Sequence, residues 1–188
     1  MPALEPVEIT AGPLHLRPWR RQDADDVFAA CQDPDIQRWT MVPSPYTHYD
    51  AVTFVDGLAR AGWATATAAH LAVVDATTGG LLASVSLQDM RDAAGIPGVG
   101  PGGDAKVGYW CAPQARGRGV TTAAVRSLCR WGFGALELAS IRWLAIVGND
   151  PSLAVARAAG FTVDAAPRPL RHARDREIVD FWTGCLRA

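Results

Sequence analysis

The run Gln114-Ala115-Arg116-Gly117-Arg118-Gly119-Val120-Thr121 combines the residue types that hold a phosphate. Two glycines permit a backbone turn that other residues resist, and two arginines supply positive charge. Downstream, Val120, Ala124, Leu128 and Trp131 recur at helical spacing, which predicts a helix from Val120 to Trp131. A helix opening on a glycine turn leaves its first N–H groups unpaired at the positive end of its dipole, where an anion is stabilised. Arg116, Arg118 and, further along the helix, Arg126 would offset more charge. The plainer alternative is a helix start whose glycines only allow tight packing.

The elements that must position this turn are readable on both sides of it. Lys106-Val-Gly-Tyr-Trp-Cys111 is an aromatic and β-branched run suited to a strand leading into the turn. Ile141 to Val147 is nearly all apolar, as a strand covered on both faces would be. Asn149-Asp-Pro-Ser152 reads as a helix start, with Asp150 as cap and Pro151 in the first turn, and Gly160 ends that helix. Before the turn, residues 1–13 carry three prolines and a glycine and are expected as an irregular lead-in. Leu14, Leu16 and Trp19 alternate as a first strand. Two early helices follow: Asp23 to Gln32, stopped near Pro34, and one capped by Thr47 that runs to about Ala61 with Val52, Val55, Leu58 and Ala59 on one face. Leu71 to Val74 and Leu81 to Leu87 flank Asp-Ala-Thr-Thr-Gly-Gly, a hairpin signature. Phe161 to Val163 and Glu177 to Leu186 are the last strands, joined by an arginine-rich connection. Gly98, Gly100 and Gly103 spell G-x-G-x-x-G, but Pro101 lies inside and a strand follows, so a dinucleotide fingerprint fails its structural context.

Totals narrow the function classes. The 188 residues suit one domain, residues 1–188, with a substantial core. A net charge of −1 argues against nucleic-acid binding through bulk positive charge. Four scattered cysteines form no C-x-x-C pair, so neither a metal site nor a disulfide framework is expected. No stretch is apolar enough for a membrane span and the start lacks the pattern of a signal peptide; a cytoplasmic protein with a small partner is expected.

Taken in order, these motifs resemble the GNAT superfamily of acyl-CoA-dependent N-acyltransferases, and within it the RimJ/RimL-type proteins. Gln114-x-x-Gly117-x-Gly119 matches the family's Q/R-x-x-G-x-G/A signature and Val107-Gly-Tyr-Trp110 the strand before it. Asn149-x-x-Ser152 followed by Gly160-Phe161 matches the N-x-x-S helix and its Gly-Phe end, and Leu16-Arg-Pro-Trp19 the opening strand. The resemblance covers roughly Leu14 to Leu186. It implies an α/β (α+β) fold with a mixed, mostly antiparallel central sheet flanked by helices, and acetyl-CoA as co-substrate with no metal. The amides and side chains of Gln114, Arg116, Gly117, Arg118, Gly119, Val120 and Thr121 are then the pyrophosphate grip. Main-chain groups at Trp110 and Cys111 pair with the pantetheine amides where the strand splays from its neighbour, and Asn149 and Ser152 lie near the thioester.

The implied reaction is direct attack of a neutral amine on the thioester, with the oxyanion held by a backbone N–H and the leaving thiolate protonated. Ser152 is the family-matched proton donor, although a serine in a first helical turn equally serves local backbone groups. No base is evident: Lys106, Leu144 and Ala145 stand where relatives carry an acid. Asp89, Asp104 and His172 are the substitutes nearest by sequence, and a water chain is an equal alternative. A weak base favours an α-amine, at a protein N-terminus or on a small molecule, over lysine. At pH 7.4 an α-amine is roughly a quarter neutral, whereas lysine is only about 0.1% neutral. Trp39, Trp63, Tyr46 and Tyr49 fall where such proteins build the acceptor pocket, which suggests an apolar or aromatic acceptor. Two other readings stay open: a non-catalytic acyl-CoA or coenzyme A sensor, and an enzyme using a longer donor such as succinyl-CoA. Relatives of this type often form homodimers, which the sequence leaves undecided.

Overall fold

A computed structural model describes residues 3–188. Among the described residues, nine strands form one sheet in the order β1-β2-β3-β4-β5-β6-β9-β7, with β8 paired to β9. The strands are β1 (Ile9–Ala11), β2 (Leu14–Pro18), β3 (Ala69–Asp75), β4 (Leu81–Arg91), β5 (Asp104–Cys111), β6 (Ser140–Ile146), β7 (Thr162–Val163), β8 (Arg168–Arg171) and β9 (Ile178–Arg187). Every pairing is antiparallel except β5 with β6. The mixed, mostly antiparallel sheet flanked by helices is the architecture expected from the sequence.

Helices cover both faces. Four lie in the first third of the chain: α1 (Ala24–Ala30), α2 (Pro34–Trp39), α3 (His48–Thr53) and α4 (Ala59–Thr65). A wide turn at Phe54–Leu58 joins α3 to α4 in one rod. On the opposite face lie α5 (Val120–Ala135) and α6 (Asp150–Ala159). The side chains of Leu71, Val85, Leu87, Val107 and Ile141 meet Leu128 of α5 in the larger core. Those of Ala72, Val74 and Trp110 meet Val27, Ile36 and Val55 in the smaller one. Alternation along each strand sends successive residues to opposite faces, so one set of strands serves both layers.

Several expectations need correction, each for a local reason. Two of the residues in the expected irregular lead-in, Met1 and Pro2, lie outside the described residues. Within the rest, Ile9–Ala11 pairs with β2 through a turn at Gly12, whose φ is 60°. Pro34 does not merely stop α1; it opens α2, because Asp33 accepts a hydrogen bond from the Ile36 N–H at 3.0 Å and proline fits a first turn. Thr47 caps α3 reciprocally with Asp50 as its pattern suggests, but the wide turn shifts the helical phase, leaving Val55 and Ala59 buried and Leu58 exposed. In β6 only alternate residues are covered, and Leu144 is 39% exposed. The cap of α6 is Asn149, not Asp150: its side chain accepts from the Ser152 N–H at 3.2 Å. The arginine-rich connection contains β8, which the prolines at 167 and 169 concealed.

Candidate active site

The turn before α5 is open. Gly117 and Gly119 both adopt φ of 72°, in the left-handed region that glycine enters without strain. No side chain caps α5, and a Cβ built on either glycine meets nothing within 4 Å. The first turn of this 16-residue helix, Val120 to Thr122, lines the cavity with its amides uncapped by any side chain among the described residues, which suits an anion. Gln114 closes the turn from behind by donating to the Leu81 carbonyl at 3.4 Å.

Beside this turn the sheet divides. β5 and β6 pair only over Asp104–Lys106 and Ser140–Arg142. Beyond that, β5 stays bound to β4 as far as Cys111 while β6 stays bound to β9 as far as Ile146. The edge of Val107–Cys111 that would have met β6 has no strand on it. Trp110 and Cys111 sit at the far end of this gap, nearest the turn, and the Cys111 thiol is directed at the Leu82 carbonyl at 3.7 Å.

On the α6 side of the gap, three side chains converge. The Trp143 indole N–H donates to Ser152 Oγ at 3.2 Å, and the Tyr109 hydroxyl lies 3.0 Å from the same oxygen and 3.1 Å from the Ser152 carbonyl. Because indole nitrogen only donates, it occupies one acceptor position of Ser152 and leaves the serine proton to point at Tyr109 or into the gap. Burial pushes the Tyr109 phenol up to about 12, against the opposing hydrogen bonds from Ser152 and Trp143, so it stays protonated. Tyr109 and Trp143 went unnoticed as site residues. Strand alternation from Trp110 was the available signal for Tyr109; nothing local marked Trp143. A cavity of about 1470 Å³ runs from the turn through the gap to the helical layer, and Trp110, Cys111, Gly117, Gly119, Asn149 and Ser152 all line it.

Residues 14–162 match the family model described as Acetyltransferase (GNAT) domain. The chain belongs to the GNAT acetyltransferase family. Among curated proteins it is 41% identical over 64 residues to YdaF of Bacillus subtilis (strain 168), which carries a provisional ribosomal N-acetyltransferase name. That match spans 34% of this chain and about a third, 35%, of YdaF. Among solved structures, the microcin C7 self-immunity acetyltransferase MccE, in complex with acetyl-CoA and AMP, superposes with a TM-score of 0.82 at 17% identity, covering 99% of each chain. RimL, the ribosomal L7/L12 alpha-N-protein acetyltransferase in complex with coenzyme A, gives 0.78 at 16% identity over 96% of this chain and 98% of its own. The ribosomal-protein-S5-alanine acetyltransferase from Vibrio fischeri gives 0.75 at 19% identity over 96% of both. At such identities the likeness establishes the shared fold.

Within this GNAT chain the arginines divide. Arg116 lines the cavity and holds Asp33 with two guanidinium nitrogens, at 2.6 and 3.2 Å, tying the turn to α2; the pair holds the Asp33 carboxyl below the usual carboxylate range. Arg126 donates to the Ala158 carbonyl and so joins α5 to α6. Arg118 alone of the three makes neither an ion pair nor a side-chain hydrogen bond among the described residues. The acids considered as bases are engaged as well: Asp89 with Lys106 at 2.7 Å and Asp104 with Arg142 at 2.6 Å, while His172 contacts Asp175 at 3.1 Å. Asp89 and His172 line the cavity and Asp104 does not. Of the aromatic residues expected at the acceptor pocket, Trp39 and Tyr46 line the cavity. Trp63 packs instead on Trp131 in the larger core, 6.0 Å between ring centroids, and Tyr49 is exposed to solvent.

Proposed function

We propose that this chain is an acyl-CoA-dependent N-acetyltransferase that passes an acetyl group from acetyl-CoA to a primary amine, the α-amine of a protein N-terminus or of a small molecule. The observation that carries the reading is the gap between β5 and β6, which opens beside an uncapped helix start on one side and beside Ser152 on another. Coenzyme A fits these features: the Arg118–Thr121 amides would take its pyrophosphate with Arg118 as counter-charge, and the free edge of β5 at Trp110 and Cys111 would pair with its pantetheine amides. The thioester it supplies when bound is an activated acyl group.

Each remaining task falls to residues of the chain. The gap lets the acceptor approach from the α1–α4 side while Ser152 stands on the opposite side, so attack and departure do not compete for space. The attacking nitrogen would release its proton to solvent in the cavity, while Ser152 would give its proton to the departing sulfur and regain one through Tyr109, itself reprotonated from solvent; Trp143 fixes the serine oxygen in place. Ser152→Ala is expected to lower kcat about 100-fold with the KM for acetyl-CoA changed less than about threefold. Tyr109→Phe should show the same pattern more weakly, as steady-state kinetics would reveal.

The named carboxylates are all ion-paired, so the site depends on an amine that is already partly neutral. An α-amine offers roughly a quarter of its molecules in that form at pH 7.4 and lysine about 0.1%. With acetyl-CoA and a panel of amines, kcat/KM for a peptide α-amine should exceed that for lysine in an N-blocked peptide by about 100-fold or more. Faster turnover of lysine would overturn this preference, and binding of coenzyme A with no thiol release above background would mark a sensor instead. Work on ribosomal-protein termini by relatives of this fold supports the α-amine reading and a cytoplasmic setting.

A further inference from the structure

The described residues bury six polar or charged side chains: Arg17, Asp23, His70, Ser84, Ser86 and Thr121. Arg17 and Asp23 satisfy each other, and Thr121 lies in the first turn of α5. The other three stand together. His70 on β3 is opposite Ser86 on β4, and Ser84 lies two residues along, opposite Trp110 of β5. Alternation therefore directs all three side chains to the sheet face beneath α1–α4, and all three line the cavity.

They are 7%, 6% and 3% exposed for His70, Ser84 and Ser86 respectively. Ser86 donates to the Gly108 carbonyl at 3.3 Å and accepts from Gln88 at 2.7 Å. The His70 ring, which has the edge of Phe54 5.8 Å away, and the Ser84 hydroxyl have no hydrogen-bond partner among the described residues. Both line the cavity, and neither is among the sealed, unpartnered polar atoms of the described residues, so their polar groups remain open to a ligand from the cavity side. Gly108 continues the row to the gap: a Cβ there would come 2.9 Å from Gln88 Nε2 and 3.1 Å from Ser86 Oγ. The register His70, Ser86, Gly108 crosses three strands, roughly 10 Å at the usual strand spacing, or about three extended residues.

Resting on the N-acetyltransferase reading, we propose that Ser86, Ser84 and His70 form a hydrogen-bonding floor that recognises the first peptide units behind the acceptor amine, with His70 a specificity-determining residue for an extended peptide N-terminus. Burial lowers the His70 pKa to about 4, so the ring is neutral under physiological conditions, with one nitrogen to donate and one to accept. A peptide unit offers the matching carbonyl and N–H. A carboxylate or ammonium group would find no opposite charge on this floor, because the charged groups at its end, Lys106 and Asp89, hold each other.

A length series of acceptors with neutral ends tests this: serine amide, Ser-Ala amide and Ser-Ala-Ala amide. In the unaltered protein the acceptor KM should fall about tenfold or more from the first to the third. His70→Phe should raise the KM of the tripeptide amide to near that of serine amide, without moving the KM for acetyl-CoA. His70→Gln, which keeps a donor and an acceptor, should retain most of the length gain. Ser84→Ala, a one-atom deletion, should cost the longest acceptor about threefold and keeps the test open if His70→Phe does not fold. Acetylation without any length gain, or an equal loss by His70→Phe on every acceptor, would overturn the floor while leaving acetyl transfer intact. No acetylation of any amine, simple alkylamines included, would overturn the parent reading and the floor with it.

Discussion

Gly119→Val is expected to raise the KM for acetyl-CoA about 100-fold or more while the protein remains folded. Two effects act together. At φ of 72° a β-branched residue is strained, by roughly 1–2 kcal/mol or more in the left-handed region. That strain is relieved by rotating the backbone, which re-aims the amides at the start of α5. The new side chain also enters the open space before the helix, since none of the described residues lies within 4 Å of a Cβ there apart from its chain neighbours. It would therefore collide with a phosphate and not with the fold. A 100-fold change corresponds to about 2.7 kcal/mol, within reach of the strain plus one or two charge-assisted hydrogen bonds. Titration of coenzyme A by calorimetry, with the thermal midpoint as control, checks it. Unchanged affinity in a folded Gly119→Val protein would remove the turn from the binding site.

Asp23→Ala carries the largest expected loss of stability, about 3–5 kcal/mol. The Asp23 carboxylate accepts from both Arg17 guanidinium nitrogens, at 2.7 and 2.8 Å, and from the Arg20 N–H at 2.7 Å. Both side chains are almost wholly buried between β2 and the start of α1. Removing the acid leaves a guanidinium in the interior with only the Pro18 carbonyl, 3.1 Å away, to receive a hydrogen bond. For a chain of this size the thermal midpoint should drop by roughly 10 °C. Replacing both partners, Arg17→Met with Asp23→Leu, should recover a good part of the loss, because no unpaired charge is then buried. A double variant no more stable than Asp23→Ala would place the effect elsewhere.

This ion pair also shows how far the sequence could be read. Leu16-Arg17-Pro18-Trp19 was recognisable as an opening strand, but nothing in the run says that Arg17 turns inward. The acid that meets it arrives six residues later, through the short turn before α1. Arg116 repeats the point. Its place beside two glycines suggests a phosphate ligand, and nothing in that run announces that Asp33, far off in sequence, pairs with two of its nitrogens. A cation's local company does not determine its partner, since attraction acts through space while motifs run along the chain.

Local rules sufficed where one residue's own chemistry dictates the outcome. Glycine at 117 and 119 set the turn, alternating apolar residues marked β2, two apolar runs about a hairpin turn marked β3 and β4, and Gly160 ended α6 in the left-handed conformation. The helical spacing after Val120 marked α5, and the order of motifs carried the resemblance that implied the fold class and the family. Local rules failed where neighbours decide. The wide turn at Phe54–Leu58 reset which face of the rod is buried, and the gap left Leu144 of β6 open to the cavity when its apolar run suggested cover. Tyr109 and Trp143 meet Ser152 only because β5 and β6 separate over the start of α6. His70 likewise stands beside Ser86 through strand register, 16 residues from it along the chain and opposite it in the sheet. The sequence alone determined the helix-opening turn, because backbone conformation there is a property of glycine itself. Only the tertiary structure decided what faces that turn across the gap, because strand pairing and burial bring together residues that no local spacing connects.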